Sequence, residues 1–297
     1  MAPTVEPILP GFGAEVSGLD IARPLDEATR AEIREIQAKW GVTMWRNTGL
    51  DDLSHVAFSR IFGDLYRMPG FRNGSRFGAP EIFDASNLDR EGGINQDEKL
   101  RIHKRGDRLW HPDTSFLPQR SGWSLLLCHE APPKGGATWF ADARGAYDDL
   151  PQAMKERIED LEAEHSHAWS RRRGGMPLSE EDVDALPGVR HRIVHVHPGS
   201  GRKTIYIGSH ARDIVGMERE EGRALIDELI AWITQPRYIF SVSYAPGDMT
   251  IWDNLCTLHR GGDFDDINHR RDMRRTTVHT PEGMPLGTVR EPIVVAV

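Results

Sequence analysis

The chain contains very little cysteine and no long apolar run. Cys128 and Cys256 are the only cysteines among its 297 residues, and neither stands in a spacing typical of metal-binding motifs. No apolar run approaches the roughly 20 residues that a membrane-spanning helix needs. Residues 1–7 also lack the basic and apolar regions of a secretory signal peptide. We therefore expect a cytoplasmic protein whose two thiols are reduced and buried.

The charge balance argues against two classes of partner. Lys and Arg number 37 against 45 Asp and Glu, so the net charge is −8. A net negative protein is repelled by nucleic acids and by anionic membranes, which argues against general binding to either. With 38% hydrophobic residues and no internal repeat, the chain can bury a sizeable core. We expect one domain over residues 1–297.

Two stretches lack any sustained periodicity and are predicted to be mobile lids over a site. Residues 66–108 are polar, charged and rich in glycine, and residues 165–187 include three consecutive arginines followed by two glycines. Loops of this length are usually functional or mobile. An ordinary exposed surface loop remains the alternative for both stretches.

A histidine and an aspartate two residues apart form the strongest chemical signal. In an extended segment His111 and Asp113 point to the same side, so both can reach one metal ion. His259 can supply a third ligand if the fold brings it back. Two histidines and one carboxylate on one face of a metal form the facial triad of non-heme Fe(II) oxygenases. Because the chain has 13 His and 45 acidic residues, a chance His-x-Asp remains the alternative.

An arginine cluster follows the third candidate ligand. In a strand, Arg271, Met273 and Arg275 would share one face, so two guanidiniums would line the same cavity as the metal. A guanidinium is a planar fork that can hold a carboxylate through two hydrogen bonds. The cluster therefore suggests an acidic co-substrate and an acidic substrate. A solvated basic strand edge is the alternative.

Periodicity places these residues in a β-rich scaffold. Apolar residues recur at helical spacing from Asp26 to Trp40 and again over 217–235, which predicts two amphipathic helices. Residues 143–164 are also predicted to be helical, with a break near Pro151. After residue 100, short strands come in hairpin-like pairs. The predicted fold class is mainly β with flanking helices around a double-stranded β-helix (jelly roll) core.

Several segments together resemble the Fe(II)/2-oxoglutarate-dependent dioxygenases of the taurine dioxygenase family. Within that family they are most similar to the 2,4-dichlorophenoxyacetate, or aryloxyalkanoate, dioxygenases. The resemblance runs from about Ile33 to Thr277. It is carried by the segments 110–116 (WHPDTSF), 132–140 (PPKGGATWF), 197–203 (HPGSGRK), 207–211 (IGSHA), 252–254 (WDN) and 269–278 (HRRDMRRTTV). Pro112 departs from the family pattern, in which Ser or Thr is frequent at this position.

The resemblance implies an iron centre and a 2-oxoglutarate site. The Fe(II) ligands would be His111, Asp113 and His259. The far carboxylate of 2-oxoglutarate would pair with Arg271 and with the hydroxyl of Thr138. Because threonine is common in strands without any such role, the plain structural interpretation of Thr138 stays open. No catalytic residue is expected beyond the metal ligands.

The resemblance also implies a small carboxylate substrate. Arg275 would hold its carboxylate, and His210 would face it, as the histidine in this setting does in the aryloxyalkanoate enzymes; a surface histidine is the alternative. The expected reaction hydroxylates an aryloxyalkanoate, which breaks down to a phenol and an oxo acid while 2-oxoglutarate yields succinate and CO2. The expected partners are this substrate and O2, without nucleic acid or membrane, and a homo-oligomer is expected.

Other functions stay open on the sequence alone. A sulfonate such as taurine could use the same Arg275, and an unrelated natural carboxylic acid could be the substrate. From a different class, the chain could be a zinc hydrolase or a non-catalytic binding barrel. Neither of these would consume O2 or lose its function when iron is chelated.

Overall fold

The structure, a computed structural model, describes residues 2–67, 76–77 and 79–290. Residues 68–75 and 78, part of the first predicted lid, lie outside the described residues. The strands are β1 (Thr4–Leu9), β2 (Phe12–Ser17), β3 (Val42–Trp45), β4 (Phe83–Asp84), β5 (Ser121–Glu130), β6 (Thr138–Asp142), β7 (Glu162–His165), β8 (Gly188–Arg192), β9 (Val194–Val196), β10 (Lys203–Ile205), β11 (Ala211–Ile214), β12 (Ile239–Val242), β13 (Met249–Asp253), β14 (Thr257–Gly261), β15 (Asp272–His279) and β16 (Thr288–Arg290). The helices are α1 (Glu27–Trp40), α2 (Asp52–Ser59), α3 (Glu98–Lys104), α4 (Ala143–Asp148), α5 (Gln152–Ile158), α6 (His167–Arg173), α7 (Glu180–Asp184) and α8 (Arg219–Ile233). Short 3₁₀ helices cover Arg60–Phe62, Arg105–Arg108 and Pro236–Tyr238.

Two sheets packed face to face form the jelly-roll core. The larger sheet has seven strands in the order β1-β2-β3-β13-β5-β15-β4, and the smaller has the order β12-β6-β14. Their strands pair antiparallel, apart from β2 and β3, which run parallel. Strands β9 and β10 form a hairpin, and β11-β7-β8-β16 form a separate sheet. This is the predicted fold class, a mainly β jelly roll with flanking helices.

The alternation of side chains along β5 explains how the larger sheet is covered on both faces. Leu126 and Cys128 pack between the two sheets, whereas Leu125 and Leu127 pack on the opposite face. The apolar cluster between the sheets also contains Phe12, Val42, Met44, Phe140, Phe240, Val242, Trp252 and Met273. Helices α1 and α2 cover the other face of the larger sheet. The barrel strands are therefore anchored from inside and outside, which holds the site at their ends in place.

Two predicted helices are confirmed and one is shorter than predicted. Helix α1 begins after Asp26, whose carboxylate accepts a hydrogen bond from the backbone N–H of Thr29 at 2.8 Å. Helix α8 lies within the predicted 217–235. The prediction of helix up to residue 164 is wrong at its end, because Glu162–His165 forms strand β7 between β8 and β11.

The two predicted lid segments contain more regular structure than their sequences suggest. Helix α3 lies within 66–108, and helices α6 and α7 lie within 165–187. Each of these helices follows an N-cap residue whose side chain accepts a hydrogen bond from a backbone N–H of the first turn. The N-cap residues are Asp97, Ser166 and Ser179. That these segments move as lids, and that the chain is one domain, stay predictions.

Two further features concern the cysteines and the character of the helices. Cys128 and Cys256 are both free and buried, as predicted. Across residues 2–67, 76–77 and 79–290, no helix has both the length and the apolar character that crossing a membrane requires.

Candidate active site

A β-bridge joins His111 and His259, which are far apart in the sequence. The backbone N–H of each donates to the carbonyl oxygen of the other, both at 3.0 Å. The bridge brings the centroids of their rings to 4.3 Å. Two residues after His111, the Oδ2 atom of Asp113 lies 3.8 Å from Nε2 of His259. The structure therefore brings the three predicted metal ligands together.

These three residues fit a metal ion. One potential ligand atom from each lies within 4.8 Å of the others, and all three side chains are buried. The Nδ1 atom of His111 lies 2.6 Å from the carbonyl oxygen of Leu109, so Nδ1 carries the proton and Nε2 is left to bind a metal. Burial lowers the pKa of His111 and lowers the pKa of His259 to about 3, so both imidazoles are neutral at pH 7. Two neutral imidazoles and one carboxylate fit Fe(II) with open coordination positions.

The third predicted ligand, Asp113, is oriented by residues from neighbouring segments of the barrel. Its backbone N–H donates to Oδ1 of Asn254 at 2.9 Å, and its Oδ2 accepts from the hydroxyl of Ser124 at 2.7 Å. The amide of Asn254 also donates to that hydroxyl, at 2.9 Å. Burial alone would raise the pKa of Asp113, but Arg275, the two imidazoles and Ser124 hold it below its usual value. The carboxylate is therefore ionised and fixed in orientation, as a metal ligand needs.

The predicted substrate clamp, Arg275, lies directly against the metal site. From β15 its Nη1 donates to Oδ1 of Asp113 at 2.5 Å, and its guanidinium lies 4.8 Å from the ring centre of Phe83. Asp113 is its one ion-pair partner in the part of the chain that the structure describes, and its Nε donates to no described residue. The guanidinium therefore keeps donors that a further carboxylate could use.

The two predicted co-substrate residues lie near each other beside a tyrosine. The Nε atom of Arg271 donates to the carbonyl oxygen of Gly136 at 3.2 Å, two residues before Thr138. The hydroxyl of Tyr244 donates to Oγ1 of Thr138 at 3.0 Å, and Tyr244 lines a cavity of about 160 Å³ together with Arg271. The geometry is compatible with one carboxylate held by a guanidinium and a hydroxyl.

The predicted substrate-facing residue, His210, is buried next to the predicted metal ligand His111. Its ring centroid lies 5.4 Å from that of His111 and 5.0 Å from that of Phe116. Its Nδ1 lies 3.0 Å from the hydroxyl of Ser115, whereas its Nε2 has no hydrogen-bond partner among residues 2–67, 76–77 and 79–290. Burial lowers the pKa of His210 well below its usual value, so the ring is neutral. The alternative of a surface histidine is therefore wrong.

An arginine connects the two predicted lid segments near the site. Arg171, on α6, donates from Nη1 to the carbonyl oxygen of His103 at 2.7 Å and to Oδ1 of Asp107 at 2.9 Å. Its guanidinium packs against Gly106, where an added Cβ would lie 2.7 Å from the central guanidinium carbon. A side chain at position 106 would therefore push the two segments apart.

A buried ion pair fixes the turn between β9 and β10 to the end of β13. The Nε2 atom of His197 lies 2.7 Å from Oδ2 of Asp253, and both side chains are almost fully buried. On its other side the ring lies 2.8 Å from the hydroxyl of Ser200. Burial alone would lower the pKa of His197, but Asp253 and Cys256 raise it to about 10. The pair therefore stabilises the segment that leads from β13 towards His259.

Replacing His197 by glutamine is expected to reduce the free energy of unfolding by about 3–5 kcal/mol, because it leaves Asp253 buried without its charged partner. The pKa of the histidine is about 10 in the folded state against 6.5 as its ordinary value, so the stabilisation is full below about pH 6.5 and is lost as the pH rises through 10. Denaturant titrations should show the difference between wild type and His197→Gln shrinking from near pH 6 to near pH 10. Ser200→Ala, which removes only a hydrogen bond, should show no such alkaline trend, and a difference that does not shrink would contradict the ion pair.

Comparison with known proteins identifies the family to which this chain belongs. Residues 4–277 match the family described as "Taurine catabolism dioxygenase TauD, TfdA family". The chain belongs to this family.

Two curated relatives and one solved structure are similar over most of the chain. The chain is 36% identical over 283 residues to the alpha-ketoglutarate-dependent 2,4-dichlorophenoxyacetate dioxygenase of Cupriavidus pinatubonensis, an alignment that covers 93% of the chain and 98% of the relative. It is 31% identical over 272 residues to the (S)-phenoxypropionate/alpha-ketoglutarate-dioxygenase of Sphingobium herbicidovorans, covering 88% and 90%. The crystal structure of AAD-2 in complex with Mn(II) and N-oxalylglycine matches with a TM-score of 0.85 and 34% identity, covering 95% of this chain and 98% of that chain.

These similarities confirm the family, the jelly-roll fold and the enzyme class predicted from the sequence. This TauD/TfdA family member is a 2-oxoglutarate-dependent non-heme iron dioxygenase that acts on a small molecule with O2. The roles of the individual site residues stay predictions, which the geometry above supports.

Three residues of the site were missed by the sequence analysis. Ser124 is the one hydroxyl in the apolar run from Trp123 to Cys128, and that isolated polar residue in a core strand was a usable signal. The sequence indicated Asn254 only as part of the segment 252–254 (WDN) that carries the family resemblance. Tyr244 was not singled out, because nothing local in the sequence indicates that its hydroxyl bonds to Thr138.

Proposed function

We propose that this dioxygenase hydroxylates an aryloxyalkanoate of the 2,4-dichlorophenoxyacetate type, which is then cleaved to a phenol and an oxo acid. In the same reaction 2-oxoglutarate is converted to succinate and CO2. The names of the two relatives described above support this substrate class, because both act on aryloxy acids and both align over most of the chain. The observation that carries the proposal is that Arg275 donates to Asp113, so a guanidinium able to bind the acid group of a substrate lies beside the proposed metal ligands.

A row of aromatic rings beside the metal ligands supports an aryl substrate. Starting at His111, ring centroids follow at 5.4 Å to His210, 5.0 Å to Phe116 and 4.7 Å to His167. His103 extends the row, with its ring 5.5 Å from that of His167. Aromatic surfaces of this kind pack against an aryl ring by edge-to-face or offset contacts, each contributing about 0.5–1.5 kcal/mol beyond area burial. A small aliphatic sulfonate would make no use of such a row.

The proposed roles follow from these positions. His111, Asp113 and His259 would hold Fe(II), which when bound supplies the oxidising chemistry with O2 and 2-oxoglutarate. Because Arg275 contacts Asp113, a carboxylate that it binds lies beside the metal ligands, and so does the carbon next to that carboxylate. In an aryloxyacetate that carbon also bears the ether oxygen. Hydroxylation there gives a hemiacetal, which breaks down to a phenol and an oxo acid.

The co-substrate is proposed to occupy the adjoining site. Arg271 and Thr138 would bind its far carboxylate, with Tyr244 orienting the threonine hydroxyl through the 3.0 Å hydrogen bond. Two separate guanidiniums, one for each acid, keep the substrate and the co-substrate apart. His210 would face the substrate as a neutral ring, because burial lowers its pKa well below the usual value.

A panel of acids tests the proposed substrate class. With Fe(II), O2 and 2-oxoglutarate, we expect succinate formation to be stimulated by aryloxyacetates and aryloxypropionates far more than by taurine or by aliphatic carboxylates. A colorimetric phenol assay should show one phenol released for each succinate formed. Faster turnover of taurine than of every aryloxy acid would assign the chain to sulfonates, and phenol-free succinate formation would contradict the ether cleavage.

We also propose a cytoplasmic location and a homo-oligomeric state. Two free, buried thiols support a reducing compartment. Light scattering of the purified protein would measure the subunit number, and a monomeric mass would contradict the second expectation.

A further inference from the structure

A lysine on helix α3 shares a cavity with the proposed co-substrate arginine. Lys104 and Arg271 both line a cavity of about 110 Å³, together with Asn87, Asp107 and Phe264 among other residues. The cavity lies between helix α3, the 3₁₀ helix that follows it, and the segment after β14. Arg271 therefore reaches a space that α3 helps to enclose.

The two cations in this cavity differ from the other arginines that line it. Arg101 pairs with Asp266 at 2.9 Å, and Arg108 pairs with Asp263 and Asp266 at 3.0 and 3.2 Å. In the part of the chain that the structure describes, neither Lys104 nor Arg271 makes an ion pair with a carboxylate. The ammonium of Lys104 donates to the carbonyl oxygen of Ser86, and Nη1 of Arg271 donates to that of Ala85 at 3.4 Å. Two positive charges are thus anchored on consecutive backbone carbonyls, and neither makes an ion pair with a described carboxylate, although Asp107 lines the same cavity.

Two like charges that share a cavity repel each other. Burial lowers the pKa of Lys104; the negative charges of Asp84 and Asp107 raise it in part, and the positive charges of Arg76 and Arg271 lower it by smaller amounts. An isolated ammonium that is partly withdrawn from water is costly, and a directly bonded carboxylate offsets that cost. A bound carboxylate would also relieve the repulsion between the two cations.

We propose that Lys104 binds the far carboxylate of 2-oxoglutarate together with Arg271. This inference rests on the proposed co-substrate role of Arg271. It adds a second cation to that site, and it makes helix α3, part of the first predicted lid segment, a direct contact of the co-substrate. Binding of 2-oxoglutarate then holds α3 against the barrel, because the ligand bridges Lys104 on the helix and Arg271 just before β15.

Binding measurements with two keto acids test the proposal. Lys104→Met is compared with Arg101→Met, a matched control on the same helix whose charge is already neutralised by Asp266. Each protein is titrated anaerobically with 2-oxoglutarate in the presence of Fe(II), following the visible charge-transfer band, and in the presence of Mn(II) by calorimetry. We expect Lys104→Met to weaken 2-oxoglutarate binding about ten- to hundredfold, the range for a charge-assisted hydrogen bond. Arg101→Met should change it less than about threefold.

The second keto acid, 2-oxopentanoate, has a methyl group where 2-oxoglutarate has its far carboxylate. It should bind wild type and Lys104→Met equally, and Lys104→Arg should retain most of the affinity for 2-oxoglutarate. Equal weakening of both keto acids, or no difference between Lys104→Met and Arg101→Met, would overturn the assignment of Lys104 while leaving the dioxygenase function intact. If Lys104→Met does not fold, Lys104→Gln with Lys104→Arg decides by the same comparison. A wild-type protein that shows no charge-transfer band would overturn the co-substrate site itself and this inference with it.

Discussion

The variant His111→Ala is expected to reduce succinate formation from 2-oxoglutarate to background. His111 supplies one of three donor atoms within 4.8 Å, and its Nδ1 contact with the carbonyl oxygen of Leu109 leaves Nε2 as the metal-binding atom. Alanine removes that atom. Around this site, among the residues that the structure describes, the three-ligand group consists of His111, Asp113 and His259 alone, so no other side chain replaces the lost donor. Two remaining ligands would bind Fe(II) too weakly to form the complex with 2-oxoglutarate.

Three measurements together check this expectation. Metal analysis after gel filtration should show loss of bound iron, the anaerobic charge-transfer band should be absent, and oxygen uptake should fall to the rate without enzyme. His129→Ala is a suitable control, because this histidine lies on β5 near Asp52, with the contact at 3.7 Å, and takes no part in the site. Undiminished oxygen uptake by His111→Ala would refute the triad. Activity that persists in wild type without O2 or iron would instead favour a hydrolase.

The proximity of the three predicted metal ligands was partly predictable from the sequence because part of its geometry is local. An extended chain places His111 and Asp113 on one side, and this spacing is visible without any knowledge of the fold. The position of His259 is different in kind. It depends on a backbone bridge to His111, a residue far away in the sequence. The sequence offers His259 as a candidate, but only the family resemblance indicated that the fold brings it to His111.

The residues that support the triad could not be predicted in the same way. Ser124 and Asn254 act on Asp113 because the ends of β5 and β13 lie side by side, which is a property of the sheet order. The role proposed for Lys104 was equally unpredictable, because it rests on a cavity shared with Arg271 and the residue itself lies in a stretch without periodicity. Local patterns carry no information about such neighbours.

Strand β7 shows local preference overridden by tertiary structure. Glu162, Ala163 and Glu164 favour a helix, each by a few tenths of a kcal/mol relative to β-branched residues. In the fold, Ala163 and His165 are completely buried, and the segment pairs with β8 on one side and β11 on the other. The backbone hydrogen bonds to β8 and β11 and the burial of these side chains outweigh helix preferences of that size. A prediction from residue preferences alone therefore ended the helix too late in the chain.

The variant Arg275→Gln is expected to raise the KM for an aryloxyacetate about ten- to hundredfold, because a charge-assisted hydrogen bond to the substrate carboxylate contributes about 1.5–3 kcal/mol. The KM for the uncharged methyl ester of the same acid should change little. In wild type, the KM for the acid should be about ten- to hundredfold lower than the KM for the ester. In the variant, this preference for the acid should disappear. Arg274→Gln is the matched control, because Arg274 is the adjacent residue and pairs with Asp52 and Asp272 at 2.7 and 3.1 Å, away from the metal site.

Using an acid and its ester separates two effects of the same guanidinium. Arg275 also bonds to Asp113 and helps to hold the pKa of that ligand low, so its removal weakens iron binding as well. That loss affects acid and ester equally and is reduced by assaying at saturating Fe(II), whereas the loss of a substrate contact affects the acid alone. If acid and ester lose activity by the same factor, Arg275 acts only through Asp113, and the substrate carboxylate must be bound elsewhere. If the acid alone loses affinity, one guanidinium both fixes a metal ligand and positions the substrate beside it.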